Sequence, residues 1–331
     1  MRPGSEFRRG AFLFVRARRP YALRNARAHD ILIVLSQDAR LRVDPYDELD
    51  AAVIHEREGA VDDALEHYRA AQALADADPW LMSEVLRRQA YLHHARSEWE
   101  LSLDLARRAA STALDAKLND QQAEALIAMA WVHVARGAYD EAVPELEKVA
   151  TLTEDHRITG LALHNLGAIA AERGNWELAR AQFMESVRRF QSAGYQRGVA
   201  FAHNNYGRAA LDHGNYVLAA DLLQQAVFSA KKAADPDLLA LATMNVAEAL
   251  GGTGELVRAE EMAKAALAHF TSAGNGWRRV ECERLLGDLE KLGEREVAAR
   301  EWWSSALETA RAIGAQLEVV KLEERLGSRA G

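Results

Sequence analysis

The chain has 331 residues, 49% hydrophobic and 27% charged, with 21 Gly, 6 Pro and a single Cys. That is ample length for a buried core, and too little cysteine for a disulfide framework or a thiolate zinc site. Sparse proline and glycine beside abundant Ala, Leu, Glu and Arg favour helix throughout, and no apolar run approaches the ~18 residues of a membrane span. An all-α protein is expected. Cys282, as a free thiol, suits a reducing compartment, so the expected location is cytoplasmic.

The formal charge of −8 is unevenly spread. Residues 1–45 carry ten Arg against Glu6, Asp30, Asp38 and Asp44, which leaves −14 on residues 46–331. An acidic body repels polyanions, so no nucleic-acid contact is expected from it. The segment 1–45 reads as a basic extension, either disordered or left by cloning, as Gly4-Ser5-Glu6-Phe7 suggests. Its stretch Ala11-Phe12-Leu13-Phe14-Val15 is too short for a signal-peptide core, and Ile31-Leu32-Ile33-Val34-Leu35 fits a strand or a helix turn equally.

From residue 46 onward a repeat organises the sequence. Leu163-His164-Asn165-Leu166-Gly167, followed by Gly174-Asn175-Trp176 and Ala179, returns forty residues later as His203-Asn204-Asn205-Tyr206-Gly207, Gly214-Asn215-Tyr216 and Ala219. It returns again as Thr243-Met244-Asn245-Val246-Ala247, Gly254-Glu255-Leu256 and Ala259. The same grammar places turns at Gly59, Ser97, Gly137, Gly174, Gly214, Gly254 and Gly293, giving seven units, with a last helix at Gln316–Leu326 as a cap. In each unit helical spacing stops at the turn and resumes: Leu161, Leu163, Leu166, Ile169 and Ala170, then Leu178, Ala179, Phe183 and Val187. A helical hairpin of this kind cannot bury both faces alone, so neighbours must stack.

These residues resemble the tetratricopeptide repeat family: Asn165-Leu166-Gly167, Asn205-Tyr206-Gly207, Gly174-Asn175-Trp176, Gly214-Asn215-Tyr216, Ala179 and Ala219. The likeness covers roughly residues 47–313, with a period near 40 instead of 34, which implies longer helices. The long form is similar to the sensor arrays of bacterial maltose-regulator-type activators and signalling ATPases, where segments like Phe190-Gln191-Ser192-Ala193-Gly194 end the second helix. The resemblance implies a right-handed superhelical solenoid that binds a protein or peptide in a concave groove, with no chemistry or cofactor of its own. The alternative it implies is the sensing module of a larger bacterial transcription regulator or signalling ATPase. Terminal repeats with uncovered apolar faces offer a homodimer contact.

Constellations for chemistry are missing. Gly251-Gly252-Thr253-Gly254 has no preceding strand and no following Lys-Ser/Thr, so it reads as a helix-ending turn. His93-His94 has no metal-ligand spacing, and no nucleophile elbow occurs. Trp303 falls in the phase of Phe183 and Tyr68 and is expected in the core, with Trp302 freer. Trp99, Tyr139, Trp176 and Tyr216, two residues after their turns, read as packing residues, and Asn165, Asn205 and Asn245 as a structural hydrogen-bonding ladder.

Function is therefore expected on the groove wall. The family register, carried over, puts Arg87, Ile127, His164, Asn204 and Met244 ten residues before their turns, and Tyr91, Trp131, Ala168, Arg208 and Glu248 six before. His94, Arg284 and Asp288 complete the set. Arginine forks and amides beside aromatic surface suit a peptide, carboxylate-bearing by this reading. Changing Arg87, Asn204 and Arg208 together to Ala is expected to leave helicity and melting nearly unchanged while binding falls.

Overall fold

The computed structural model describes residues 44–75 and 77–327. The expectations for residues 1–43 lie outside the described residues. Every regular element among the described residues is a helix: α1 (Pro45–Glu58), α2 (Val61–Leu74), α3 (Pro79–Ala95), α4 (Trp99–Asp115), α5 (Asn119–Ala135), α6 (Tyr139–Leu152), α7 (His156–Glu172), α8 (Trp176–Ser192), α9 (Gln196–Asp212), α10 (Tyr216–Ala233), α11 (Pro236–Thr253), α12 (Leu256–Ser272), α13 (Gly276–Leu292), α14 (Glu296–Ala312) and α15 (Gln316–Leu326). The chain divides into two compact units, one ending at Glu154 and the other beginning at Asp155. The first contains the hairpins α1–α2, α3–α4 and α5–α6; the second contains α7–α8, α9–α10, α11–α12, α13–α14 and the closing α15.

In the second unit the chain reverses at a fixed interval. Left-handed residues fall every twenty positions, at Gly174, Gly194, Gly214, Ala234, Gly254, Gly274, Glu294 and Gly314, with φ between 51° and 87°. The helices between them are 17 or 18 residues long, so the forty-residue period is two such helices with two short turns. At one of these turns Gly174 and Asn175 donate their N–H groups to the carbonyls of Ala171 and Ala170, both at 2.9 Å. This satisfies the end of α7, and the Asn175 side chain then caps α8 by accepting from the Leu178 N–H at 3.3 Å. The last hairpin corrects the sequence reading by one residue. Gly293 has φ −83° and the left-handed position is Glu294.

The first unit is less regular. Its second helices α2 and α6 have only 14 residues, which shortens the turn-to-turn spacing there. After α6 the chain runs extended through Thr153 (φ −146°, ψ 148°), whose hydroxyl donates to Asp120 Oδ1 at 2.6 Å. Asp155 then caps α7 by accepting from the N–H groups of Arg157 and Ile158.

Packing follows the repeat. Five residues after the turn the second helix carries a fully buried alanine, at Ala64, Ala142, Ala179, Ala219, Ala259 and Ala299, and this lets the two helices close on each other. Four residues further Tyr68, Phe183 and Trp303 are buried as wedges, each worth about 2–3 kcal/mol of transfer from water. Trp303 seats on Gly287, where a Cβ would stand 2.4 Å from its ring. In the second unit Trp303, Ala306, Ala310, Val319 and Leu322 form one core with α15, which therefore covers the last hairpin as expected.

Candidate functional site in the first-helix rows

The residues ten before each turn do not line an open wall. Arg87, Ile127, His164, Asn204 and Met244 are all buried, Arg87 at 3% and Asn204 at 2% exposure. His94 is buried too, edge-on to Trp99 at 5.0 Å. The side chains of Arg87, His164 and Asn204 join one hairpin to the next.

In the first unit this joint is ionic. Arg87 Nη2 donates to Glu84 Oε2 at 2.5 Å and stands 3.1 Å from Glu124 Oε2 on α5. Arg88 donates to Glu84 Oε1 at 2.5 Å and to Glu56 Oε2 at 3.2 Å, while the Tyr68 hydroxyl also donates to Glu56. Burial would raise the Glu84 carboxyl, but Arg87 and Arg88 outweigh it and hold it at about 2. Burial would likewise lower Arg87, and Glu124 with Glu84 drive it well above the usual guanidinium range instead. The sequence carried part of this signal: Glu84 stands three and four residues before Arg87 and Arg88, on one helix face. Glu124 and Glu56 come from other helices and gave none.

In the second unit the joint is neutral. Asn205 Nδ2 donates to His164 Nε2 at 3.0 Å, Asn204 Nδ2 to Asn205 Oδ1 at 3.2 Å, and Asn245 Nδ2 to Asn204 Oδ1 at 2.9 Å. The expected asparagine ladder is therefore structural and recruits His164 and Asn204, while Asn165 turns back to the Leu161 carbonyl at 2.8 Å. Burial pushes His164 down to about 4, which keeps the imidazole neutral and able to accept.

The residues six before each turn, by contrast, are half-exposed: Tyr91, Trp131, Ala168, Arg208, Glu248 and Asp288. In the first unit the Tyr91 and Trp131 rings lie 4.8 Å apart at 37°, with the Arg87 guanidinium 5.2 Å from the Tyr91 centroid. In the second unit Arg208 donates through both terminal nitrogens to Glu248 and through Nη2 to Asp212 at 2.7 Å. Arg284 reaches Asp288 at 3.4 Å and Glu318 at 3.3 Å, while Arg325 donates to both Asp288 oxygens at 2.7 and 3.1 Å.

Two sequence expectations are corrected here. Arg87, Arg208 and Arg284 each already hold two carboxylates of this chain, so none is an empty fork for a partner's carboxylate. Arg87→Ala and Asn204→Ala would also break buried networks, so the triple change would not leave melting unaltered.

Other candidates resolve as packing or turns. Trp176 lies over His213 at 4.1 Å, and Trp303 donates its Nε1–H to Asp288 Oδ1 at 3.0 Å. Gly251-Gly252-Thr253 ends α11, and Gly254 is its left-handed cap. Among the described residues no group of three or more His, Cys, Asp or Glu could hold a metal ion, and no helix is long and apolar enough to cross a membrane.

Residues 159–231 match the tetratricopeptide repeat family, a span that includes the motifs at 165–167 and 205–207. No curated protein matches the chain. Among solved structures the chain is similar to the apo form of the quorum sensor NprR from B. thuringiensis, at 13% identity and TM-score 0.64 over 80% of this chain and 77% of that one. It is similar to a Rap protein complexed with Competence and Sporulation Factor, at 16% identity and TM-score 0.55 over 76% of each. A third is a signal transduction ATPase with numerous domains and a tetratricopeptide repeat sensor from Pyrococcus horikoshii, at 14% identity and TM-score 0.59 over 83% of this chain and 44% of that one. Likenesses at such identities bear on the fold. With the hairpin geometry, they show that the chain shares the helical-hairpin repeat fold of these structures, built here from long helices.

Proposed function

We propose that the chain is a cytoplasmic binding scaffold without catalytic chemistry, whose half-exposed first-helix row takes a protein or peptide partner. The observation that carries this is the pair Tyr91 and Trp131, two large aromatic side chains left partly exposed at the same register of consecutive hairpins, their tilted rings 4.8 Å apart. Aromatic anchors in partly desolvated positions dominate binding energy at protein interfaces. The second unit, taken by itself, has Arg208 closed on Glu248 and Asp288 held by Arg284 at this register, which suit a polar backbone better than a bare carboxylate. Neighbours described as a quorum sensor and as complexed with a factor support a partner-binding role.

The second reading is a sensing module of a larger regulator or signalling ATPase, which the repeat sensor of the Pyrococcus ATPase supports. Leu317 and Val320, exposed on α15, give self-association a surface that equilibrium sedimentation tests. The partner itself is tested by affinity capture from source-cell lysate, with the full chain and its Tyr91→Ala/Trp131→Ala variant side by side. A protein or peptide retained by the former and lost from the latter is the expected result. Equal retention would move the site off this row.

A further inference from the structure

The second residue of each hairpin's second helix stands just after the turn. It reads Asp62, Glu100, Asp140 and Glu177 in the first four hairpins, then Val217, Val257 and Val297 in the last three. A carboxylate there is favoured by the partial positive charge of a helix N-terminus, and valine gains nothing from it. The valines nevertheless stand 68%, 73% and 75% exposed.

The change is matched across the edge. In the first unit two of these acids are met by the arginine just before the next hairpin's turn: Arg96 on Asp62 at 2.6 Å, and Arg136 on Glu100 at 2.8 Å. The residues at that register after Val217 and Val257 are Thr253 and Gly293, neither of them charged. Successive hairpins meet along this edge in the second unit as well, since Trp176 covers His213 and Tyr216 lies against Gly252. The acid of the first four hairpins is thus replaced by an exposed valine in the last three. One helical turn beyond the valines stand Asp221, Glu261 and Glu301, all exposed, and among the described residues no ion pair or hydrogen bond engages them.

We infer that this edge of the last three hairpins is a docking surface for a protein segment that forms a basic amphipathic helix. Its apolar stripe would cover Val217, Val257 and Val297, and its Lys and Arg side chains would face Asp221, Glu261 and Glu301. The charge of the second row selects the sign of the partner. A helix is the occupant that these two rows fit, since one amphipathic helix carries an apolar stripe and a basic stripe side by side. Isolated exposed valines would need no explanation, but an aligned row beside unpaired acids does.

The test uses the full chain and a labelled synthetic peptide of about 20 residues, with Leu on one helical face and Lys elsewhere, read by fluorescence anisotropy. The variant V217E/V257E/V297E restores the acid found in the other hairpins, so it should fold as the wild type does. It also adds negative charge, which by itself would strengthen attraction of a lysine peptide. Binding at least tenfold weaker in this variant, and again in D221K/E261K/E301K, is expected. Unchanged or tighter binding to the valine variant overturns the proposal, as does equal binding of a counterpart peptide with every Lys replaced by Glu. Wild-type dimers in sedimentation that the valine variant does not form would also overturn it, by showing a second copy on this edge.

Discussion

The two units solve one packing problem with opposite chemistry. In both, the residue ten before the turn and its neighbours must join one first helix to the next inside the stack. The first unit does this with buried charge, Arg87 and Arg88 against Glu84, Glu124 and Glu56, and the second with neutral amides and an imidazole, His164, Asn205, Asn204 and Asn245. The register fixes where a polar joint can sit, while the side chains decide how costly it is to break. A buried ion pair gives little net stability over an apolar replacement, yet losing one partner strands a charge. A neutral amide ladder strands only a hydrogen-bonding group.

The comparison can be broken most forcefully at Arg87. Arg87→Ala leaves Glu84 and Glu124 facing each other without their shared cation and should destabilise the first unit by about 3–5 kcal/mol, read as lost amide-exchange protection confined to residues before 155. Loss spread evenly over both units would contradict the separate joints. Asn204→Ala in the second unit should cost less, about 1–3 kcal/mol, again confined to its own unit in denaturant titration followed by hydrogen exchange.

Acidity separates the units by sign. Burial lowers His164 and His203 in the second unit to about 4, below the unfolded imidazole near 6.5. Their contribution is complete above pH 6.5 and is lost as pH falls from there through 4. The first unit has His94, lowered to about 4 by burial against an opposing backbone hydrogen bond from Trp131, and His133, also lowered by burial against the nearby Glu141. It also has Glu145, which burial lifts to about 7. A raised carboxyl contributes below its unfolded value of 4.5 and loses that contribution as pH rises through 7, opposing His94 over the same interval. Glu84, held at about 2, keeps its contribution until pH falls below 4.5. Protection in the second unit should therefore drop more than in the first between pH 6.5 and 4.5, and an equal drop would contradict the contrast.

The smallest effects lie at the turns. Ser97 in the first unit and Glu294 in the second hold φ of 61° where most of the other first turns have glycine. Ser97→Gly and Glu294→Gly should each raise stability by about 0.5–1 kcal/mol, measurable as a shift of the urea midpoint. A loss at either position would mean that its side chain does more than tolerate the turn.

Much of the architecture was legible in the sequence because it repeats. Gly174, Gly214 and Gly254 mark turns whose conformation excludes most side chains, and Ala179, Ala219 and Ala259 mark close approach, so both signals survive without knowledge of tertiary contacts. The turn at Glu294 was misplaced to Gly293 because composition outweighed the register. The groove was half legible. Spacing identifies which residues lie on the first helix's inner side, but burial depends on how deeply neighbouring helices close, and this separates Asn204 from Arg208 on the same helix. The partners of Arg87 were hidden for a related reason: Glu124 lies 37 positions away and meets it only through stacking.

That separation is the account's central claim, and one paired measurement on α9 tests it most directly. Asn204→Ala and Arg208→Gln, made singly in the full chain, are compared for urea unfolding and for retention of the captured partner. Arg208 leaves behind only Glu248 and Asp212, whose side chains are 35% and 61% exposed, so its removal should cost at most about 1 kcal/mol while weakening partner retention. Asn204→Ala should do the reverse, with the larger loss of stability and partner retention kept under conditions where it is folded. Loss of binding in the Asn204 variant with none in the Arg208 variant would place the partner on the buried row that packs the first helices.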